Sequence, residues 1–179
     1  MTAPGDEELP TTIGVAIDIP EPWGSALTRR RLAAGDPVAA YVPAHLTLLG
    51  PTQIEPAHLP GIDAHLNRVA SAHSPFTLHL RGTGTFRPIT QVVFVVVAAG
   101  IGECEQLHAE ILTAPGVRRQ TRYPYHPHVT IAHDVSVAEL DAAYADLAGF
   151  EAMFEVYGFR LFEHGTDGRW HAFREYELR

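Results

Sequence analysis

The feature that most constrains the fold of this chain is a six-residue motif that occurs twice. The segment 44–49 (AHLTLL) is echoed by 127–132 (PHVTIA), and the two histidines, His45 and His128, are 83 residues apart (128 − 45). Each copy has the pattern of a strand, and a helical pattern follows each of them. This spacing predicts two similar lobes that each contribute one strand to a common cleft.

Alternation along each motif strand predicts a polar face and an apolar face. Successive side chains of a strand point to opposite sides, so His45 and Thr47 share one face while the neighbouring leucines share the other. His128 and Thr130 are arranged in the same way. The apolar face can pack on a core, and the polar face is suited to a polar ligand.

Two histidines and two threonines match the chemistry of a phosphodiester. In-line attack needs one group that accepts a proton and another that donates one, and two imidazoles with an ordinary pKa of about 6.5 can do both near neutral pH. Threonine hydroxyls can donate hydrogen bonds to the non-bridging oxygens. This arrangement requires neither a metal nor another cofactor.

The rest of the chain predicts one α+β domain over residues 12–179, preceded by a flexible tail at 1–11. Its 46% hydrophobic content is enough for a sizeable core. We expect strands at 13–19, 45–49, 76–86, 92–98 and 128–133, helices at 22–34, 57–73, 102–112 and 137–147, and a closing hairpin of 153–163 with 169–178.

Charge and cysteine usage limit the partners. A formal net charge of −8 argues against binding to long nucleic acid, although a small or terminal phosphate remains possible. The basic stretches 29–31 and 118–122 could form a positive mouth, but a solvated helix face is our interpretation of the first. The apolar run 92–101 is too short to span a membrane. The single cysteine, Cys104, cannot form an intramolecular disulfide, and we expect a cytoplasmic monomer.

The paired His-x-Thr motifs resemble the signature of the two-histidine (2H) phosphoesterase superfamily, which includes bacterial 2′,5′-RNA ligase-like proteins and cyclic nucleotide phosphodiesterases. The resemblance implies a bilobal, pseudo-symmetric fold with two antiparallel sheets around a central cleft. It also implies metal-independent hydrolysis, or reversible formation, of 2′,3′-cyclic phosphates or 2′,5′ linkages in nucleotides or RNA ends. His45, Thr47, His128 and Thr130 would be the catalytic residues.

Four further residues are candidates for substrate binding. Similar proteins place a Phe near the base, as Phe86 would be here, and Tyr123 or Tyr125 could close the other side, although loop packing explains these aromatics equally well. Relatives often carry a basic residue, commonly Arg, after the second motif. This chain has His133 there.

Three alternatives stay open at this point. A protein of the same fold could bind a phosphate or nucleotide without turning it over. The close spacing of His126, His128 and His133 admits a zinc site, although no carboxylate stands at ligand spacing. Finally, the same residues could serve RNA ligation or RNA 3′-end processing on a larger substrate, which the acidic net charge disfavours. The sequence also does not determine which motif histidine is the acid and which is the base.

Overall fold

The computed structural model describes residues 9–118 and 121–179. Its eight strands are β1 (Thr11–Asp18), β2 (His45–Ile54), β3 (Phe76–Thr85), β4 (Val92–Ala99), β5 (His128–His133), β6 (Glu151–Val156), β7 (Gly158–His164) and β8 (Trp170–Glu177). Its four α-helices are α1 (Trp23–Ala33), α2 (Leu59–Ala72), α3 (Ile101–Ile111) and α4 (Val137–Asp146), and a short 3-10 turn at Pro56–His58 precedes α2.

The strands form two four-stranded antiparallel sheets of matching design. The first sheet has the order β2-β1-β7-β8 and the second has the order β5-β4-β3-β6. In each sheet, a motif strand lies at one edge beside the strand that precedes it in the chain. The prediction of an α+β, bilobal, pseudo-symmetric fold is therefore confirmed.

Two of the helices, α1 and α3, pack against the lobe opposite to the one whose strands they connect. Helix α1, which connects β1 to β2 in the first sheet, packs against β5 of the second sheet. Helix α3, which connects β4 to β5, packs against β2. Each motif strand is therefore supported by a helix from the opposite lobe, and this exchange holds the two motifs close together.

The apolar sides of both motif strands belong to a continuous core. Leu46 and Leu48 of β2 and Val129 and Ile131 of β5 are all fully buried. Burying a large aliphatic side chain contributes about 1.5–3 kcal/mol, so the leucines and their counterparts stabilise the strands that carry the polar residues. The polar faces are thereby directed away from the core.

Both motif strands contain a β-bulge at the residue after the threonine. In β2, Thr47 pairs with Ala16 and Leu49 pairs with Val15, so Leu48 is an extra residue. In β5, Thr130 pairs with Phe94 and Ala132 with Val93, so Ile131 is extra. Because a bulge ends strict alternation, two consecutive apolar residues are buried in each strand.

The structure corrects the predicted C-terminal hairpin. The segment predicted as one strand, 153–163, is interrupted at Tyr157, so that β6 joins the second sheet and β7 the first. Gly158 follows the interruption, where an added Cβ would lie 2.5 Å from the carbonyl oxygen of Tyr176. The hairpin itself is formed by β7 and β8 alone.

Two other boundaries differ from the prediction. Strand β2 does not stop at Leu49 but continues to Ile54 through Gly50 and Pro51. An edge strand tolerates proline because one side of it makes no ladder hydrogen bonds. Of the predicted tail, residues 1–8 lie outside the described residues, and Thr11 already belongs to β1.

No helix in residues 9–118 and 121–179 is long and apolar enough to cross a membrane.

Candidate active site

The polar faces of the two motif strands line one cleft between the sheets. The cleft has a volume of about 1050 Å³, and His45, Thr47, His128 and Thr130 all contribute to its wall. Since β2 and β5 lie against each other at the edges of the two sheets, the imidazole–hydroxyl pairs of both lobes enter the same space. The structure thus brings together all four residues that the repeated motif singled out.

The two imidazoles are held by equivalent hydrogen bonds. The Nδ1 atom of His45 lies 2.9 Å from the carbonyl oxygen of Pro43, and Nδ1 of His128 lies 2.7 Å from that of His126. A carbonyl oxygen can only accept, so Nδ1–H is the donor in each ring. The tautomer of each neutral imidazole is therefore set, and Nε2 is the atom left to exchange a proton.

Burial favours the neutral form of both rings. Desolvation is the largest effect and lowers the pKa of His45 and of His128, while the backbone hydrogen bonds partly oppose it. At His45 the charge of Arg31 lowers the pKa further, whereas Asp18 raises it. At His128 the charges of the neighbouring His126 and of His45 lower the pKa further.

The reactive atoms of the motif residues are free to meet a ligand. Within the described part of the chain, neither Nε2 of His45 and His128 nor the hydroxyls of Thr47 and Thr130 have a hydrogen-bond partner. All four side chains are half-buried. Two imidazole nitrogens and two hydroxyls, one pair from each lobe, are therefore available to a ligand in this cleft.

The four predicted substrate-binding residues have different positions. His133 lines the cleft and lies 3.3 Å from Asp134. Phe86 packs edge-to-face on the His128 ring, with centroids 5.0 Å apart, so it contacts a motif residue without lining the cleft wall. Tyr123 is 45% exposed beside Arg122 and does not line the cleft.

The fourth, Tyr125, supports the first motif from behind. Its hydroxyl donates to the carbonyl oxygen of Thr47 at 2.8 Å, and its ring stacks on His108 at 3.9 Å. Nδ1 of His108 in turn donates to the carbonyl oxygen of Leu48 at 2.6 Å. These two side chains donate to the consecutive carbonyls of Thr47 and Leu48, which lie at the bulge of β2.

The cleft also contains residues that the sequence did not single out as site residues. Arg160 of β7, Trp170 of β8 and Tyr41 of the loop before β2 lie on its wall. Tyr41 is far in the chain from the hairpin that carries Arg160 and Trp170, and no local motif marks any of the three.

Arg31 corrects the interpretation of 29–31 as a solvated helix face. Arg29 and Arg31 both line the cleft, and whereas Arg29 is exposed, Arg31 is only 6% exposed. The second basic stretch lies partly outside the described residues, at positions 119 and 120, and Arg118 and Arg122 are exposed. The sequence marked Arg31 as part of a basic stretch. Only the packing of α1 against β5 shows that Arg31 is a buried residue of the cleft wall.

The described residues offer no set of ligands for the zinc site that the sequence left open. Across residues 9–118 and 121–179, no three His, Cys, Asp or Glu side chains are grouped closely enough to hold a metal ion. Cys104 is fully buried, and desolvation, with smaller contributions from Glu103 and Glu105, raises the pKa of its thiol to about 12. The thiol is therefore not a nucleophile near neutral pH.

Comparisons with known proteins agree with this geometry. A protein of Bacillus thuringiensis (strain Al Hakam), whose name assigns it provisionally to the phosphoesterases, is 30% identical over 152 residues, which cover 80% of this chain and 83% of that protein. The structure of TT0787 of Thermus thermophilus has a TM-score of 0.61 and 26% identity, and covers 94% of this chain and 98% of that one.

E. coli LigT has the same fold. Its complex with 3′-AMP has a TM-score of 0.68 and 22% identity, with coverage of 95% of this chain and 99% of that one. LigT has also been crystallised with NADP+ and with ATP. The model of the 2′-5′ RNA ligase superfamily matches residues 19–168, which is most of the chain. Together with the paired His-x-Thr strands, this match shows that the chain belongs to the 2′-5′ RNA ligase superfamily.

Proposed function

We propose that this protein is a metal-independent phosphoesterase that hydrolyses, or reversibly forms, 2′,3′-cyclic phosphate or 2′,5′-phosphodiester bonds in small nucleotides or RNA ends. The observation that carries the proposal is the shared cleft of His45 and His128. Each imidazole is fixed through Nδ1 and leaves Nε2 without a partner among the described residues.

The proposed reaction uses the two imidazoles in opposite protonation states. In hydrolysis, the neutral ring accepts a proton at Nε2 from a water whose oxygen forms a bond to phosphorus. The protonated ring donates its Nε2 proton to the departing ribose oxygen as the P–O bond breaks. The product is a phosphomonoester with a free hydroxyl, and proton exchange with solvent restores the starting states.

The threonines would stabilise the charge that develops at phosphorus. The hydroxyls of Thr47 and Thr130 line the cleft from opposite lobes and have no competing hydrogen bond in the described residues. In the proposed complex they donate to the non-bridging oxygens, whose charge must be held in the transition state.

The charge distribution supports a small substrate. The chain has a formal net charge of −8, which disfavours long nucleic acid, whereas Arg31 and Arg160 place positive charge on the cleft wall. The volume of about 1050 Å³ is sufficient for a nucleotide. Trp170 and Tyr41 offer aromatic surface to a base.

The test is turnover of a panel of 2′,3′-cyclic nucleotides and a 2′,5′-linked dinucleotide in the presence of EDTA. We expect hydrolysis by the wild type and a loss of at least about 100-fold in His45→Ala and His128→Ala, each shown to be folded by circular dichroism. His79→Ala is the matched control, because His79 is also a strand histidine but bonds to Glu151 outside the cleft.

Two outcomes would reject the proposal. If His45→Ala and His128→Ala are as active as His79→Ala, the two imidazoles are not the acid/base pair. If the wild type binds a nucleotide but turns over none of the panel, the protein is a non-catalytic phosphate-binding member of its family.

A further inference from the structure

Arg31 occupies an unusual position for an arginine at the end of a helix. It lies in the last turn of α1, its side chain is only 7% exposed, and it lines the cleft together with both histidine motifs. Its charge is close enough to His45 to affect the titration of that ring. Arg31 therefore places a permanent positive charge on the wall of the cleft that holds both motifs.

A fully buried carboxylate fixes this guanidinium from one side. Gly35, with a φ of +80°, turns the chain at the end of α1 and brings Asp36 back onto Arg31. One oxygen of Asp36 accepts from Nε of Arg31 at 2.7 Å, and the other accepts from the backbone N–H of Val38 at 3.0 Å. The Asp36 side chain has no exposed surface, so the pair is rigid.

The two terminal nitrogens of Arg31 remain available. Its hydrogen bonds to described residues involve Nε alone. Among those residues, the one fully buried side-chain nitrogen or oxygen without a partner is Nε of Arg30, so Nη1 and Nη2 of Arg31 keep some exposure. The surface that Arg31 lines is the cleft, and therefore its free N–H groups can reach a ligand there.

The other basic residues of the cleft wall are less suited to hold an anion. Arg29 also lines the cleft, but it is exposed and no carboxylate among the described residues fixes its orientation. Arg160 is 41% exposed and already paired with Asp18 at 3.0 Å and Glu175 at 3.3 Å. His133 is 43% exposed and lies beside Asp134. Arg31 combines a permanent charge, a fixed orientation and unused donors, and a planar guanidinium matches two oxygens of a phosphate.

We propose that Arg31 is the substrate-binding cation of this cleft, and that it donates from Nη1 and Nη2 to the non-bridging oxygens of the phosphoryl group. Asp36 acts through Arg31 as a positioning residue. This inference rests on the proposed function for the identity of the substrate, but it makes a separate statement about which residue holds the phosphate.

The test variants must not leave one charge of the buried Arg31–Asp36 pair without its partner. Removing Arg31 alone leaves the Asp36 carboxylate buried and uncompensated, which threatens the fold. The double variant Arg31→Gln/Asp36→Asn removes both charges and keeps similar volumes, and Arg31→Lys keeps the charge but loses the planar fork. Arg68→Gln, on the exposed side of α2, is the matched control.

The first readout is the affinity for inorganic phosphate, measured by calorimetry, which does not depend on turnover. We expect about 10- to 100-fold weaker binding in the double variant, from the loss of charge-assisted hydrogen bonds, and a smaller loss in Arg31→Lys. Arg68→Gln should bind as the wild type does. Equal phosphate affinity in the double variant and the wild type, or no phosphate binding by the wild type, would overturn the inference.

The second readout separates this inference from the proposed function. With a substrate that the wild type hydrolyses, the double variant should raise KM or lower kcat so that kcat/KM falls about 10- to 100-fold. If the wild type hydrolyses nothing but phosphate binding still depends on Arg31, the proposed function fails and the binding role stands. If the wild type hydrolyses the substrate and the Arg31 variants are fully active, the proposed function stands and the binding role of Arg31 fails.

Discussion

Replacing Tyr125 with phenylalanine tests whether this residue supports the fold or binds the substrate. The change removes one oxygen, whose hydrogen donates to the Thr47 carbonyl at 2.8 Å, and leaves the ring stacked on His108. The carbonyl lies at the bulge of the edge strand β2, and Tyr125 is its one side-chain donor among the described residues.

The expected cost can be worked from this geometry. Leaving a buried carbonyl without a partner costs about 1–3 kcal/mol, and since this hydrogen bond is only partly buried we expect about 1–2 kcal/mol. With a urea m-value near 2 kcal/mol/M, the unfolding midpoint should fall by roughly 0.5–1 M. The assay is equilibrium unfolding in urea, followed by circular dichroism.

Tyr157→Phe is the control, because Tyr157 is 67% exposed and loses the same oxygen atom. The free energy of unfolding of this variant should differ from that of the wild type by less than about 0.5 kcal/mol. If Tyr125→Phe is no less stable than Tyr157→Phe but shows a raised KM for nucleotides, Tyr125 binds the substrate and our structural explanation of it is wrong.

Three other predictions follow from the site. Leu46→Ala should destabilise the protein by about 2–5 kcal/mol in urea unfolding, because Leu46 is fully buried beneath the first motif. Thr130→Val should lower kcat/KM by about 10- to 100-fold while Thr130→Ser stays near wild type, which steady-state kinetics can check. Burial lowers the folded pKa of His45 and His128, so the unfolded chain binds more protons below about pH 6.5. The protein should therefore have its full free energy of unfolding above about pH 6.5. This free energy should fall as the pH drops toward the lowered pKa values.

Each of these has a clear contrary result. A Leu46→Ala variant as stable as the wild type would mean that the first motif does not depend on the core. Equal activity of the valine and serine variants at Thr130 would remove the hydroxyl from the mechanism. A His45→Gln/His128→Gln protein that loses as much stability in acid as the wild type would assign the pH dependence to other groups.

The sequence by itself determined the motif strands and the class of the fold. A strand's two-residue period places His45 and Thr47 on one side whatever the chain does elsewhere, and the second copy obeys the same rule. Local patterns also placed β5 at its observed bounds and located α1, α3 and α4 to within one or two residues. The resemblance carried by these motifs correctly indicated the family.

Only the tertiary structure decided what surrounds the motifs. The split of β6 from β7 depends on which sheet each half can join, and the local pattern of residues 153–163 does not reveal it. The exchange of α1 and α3 between lobes buries Arg31 at the cleft, and the bulge at Leu48 gives Tyr125 a backbone partner. These features arise from contacts between residues far apart in the chain, whereas propensity and periodicity report on neighbours alone.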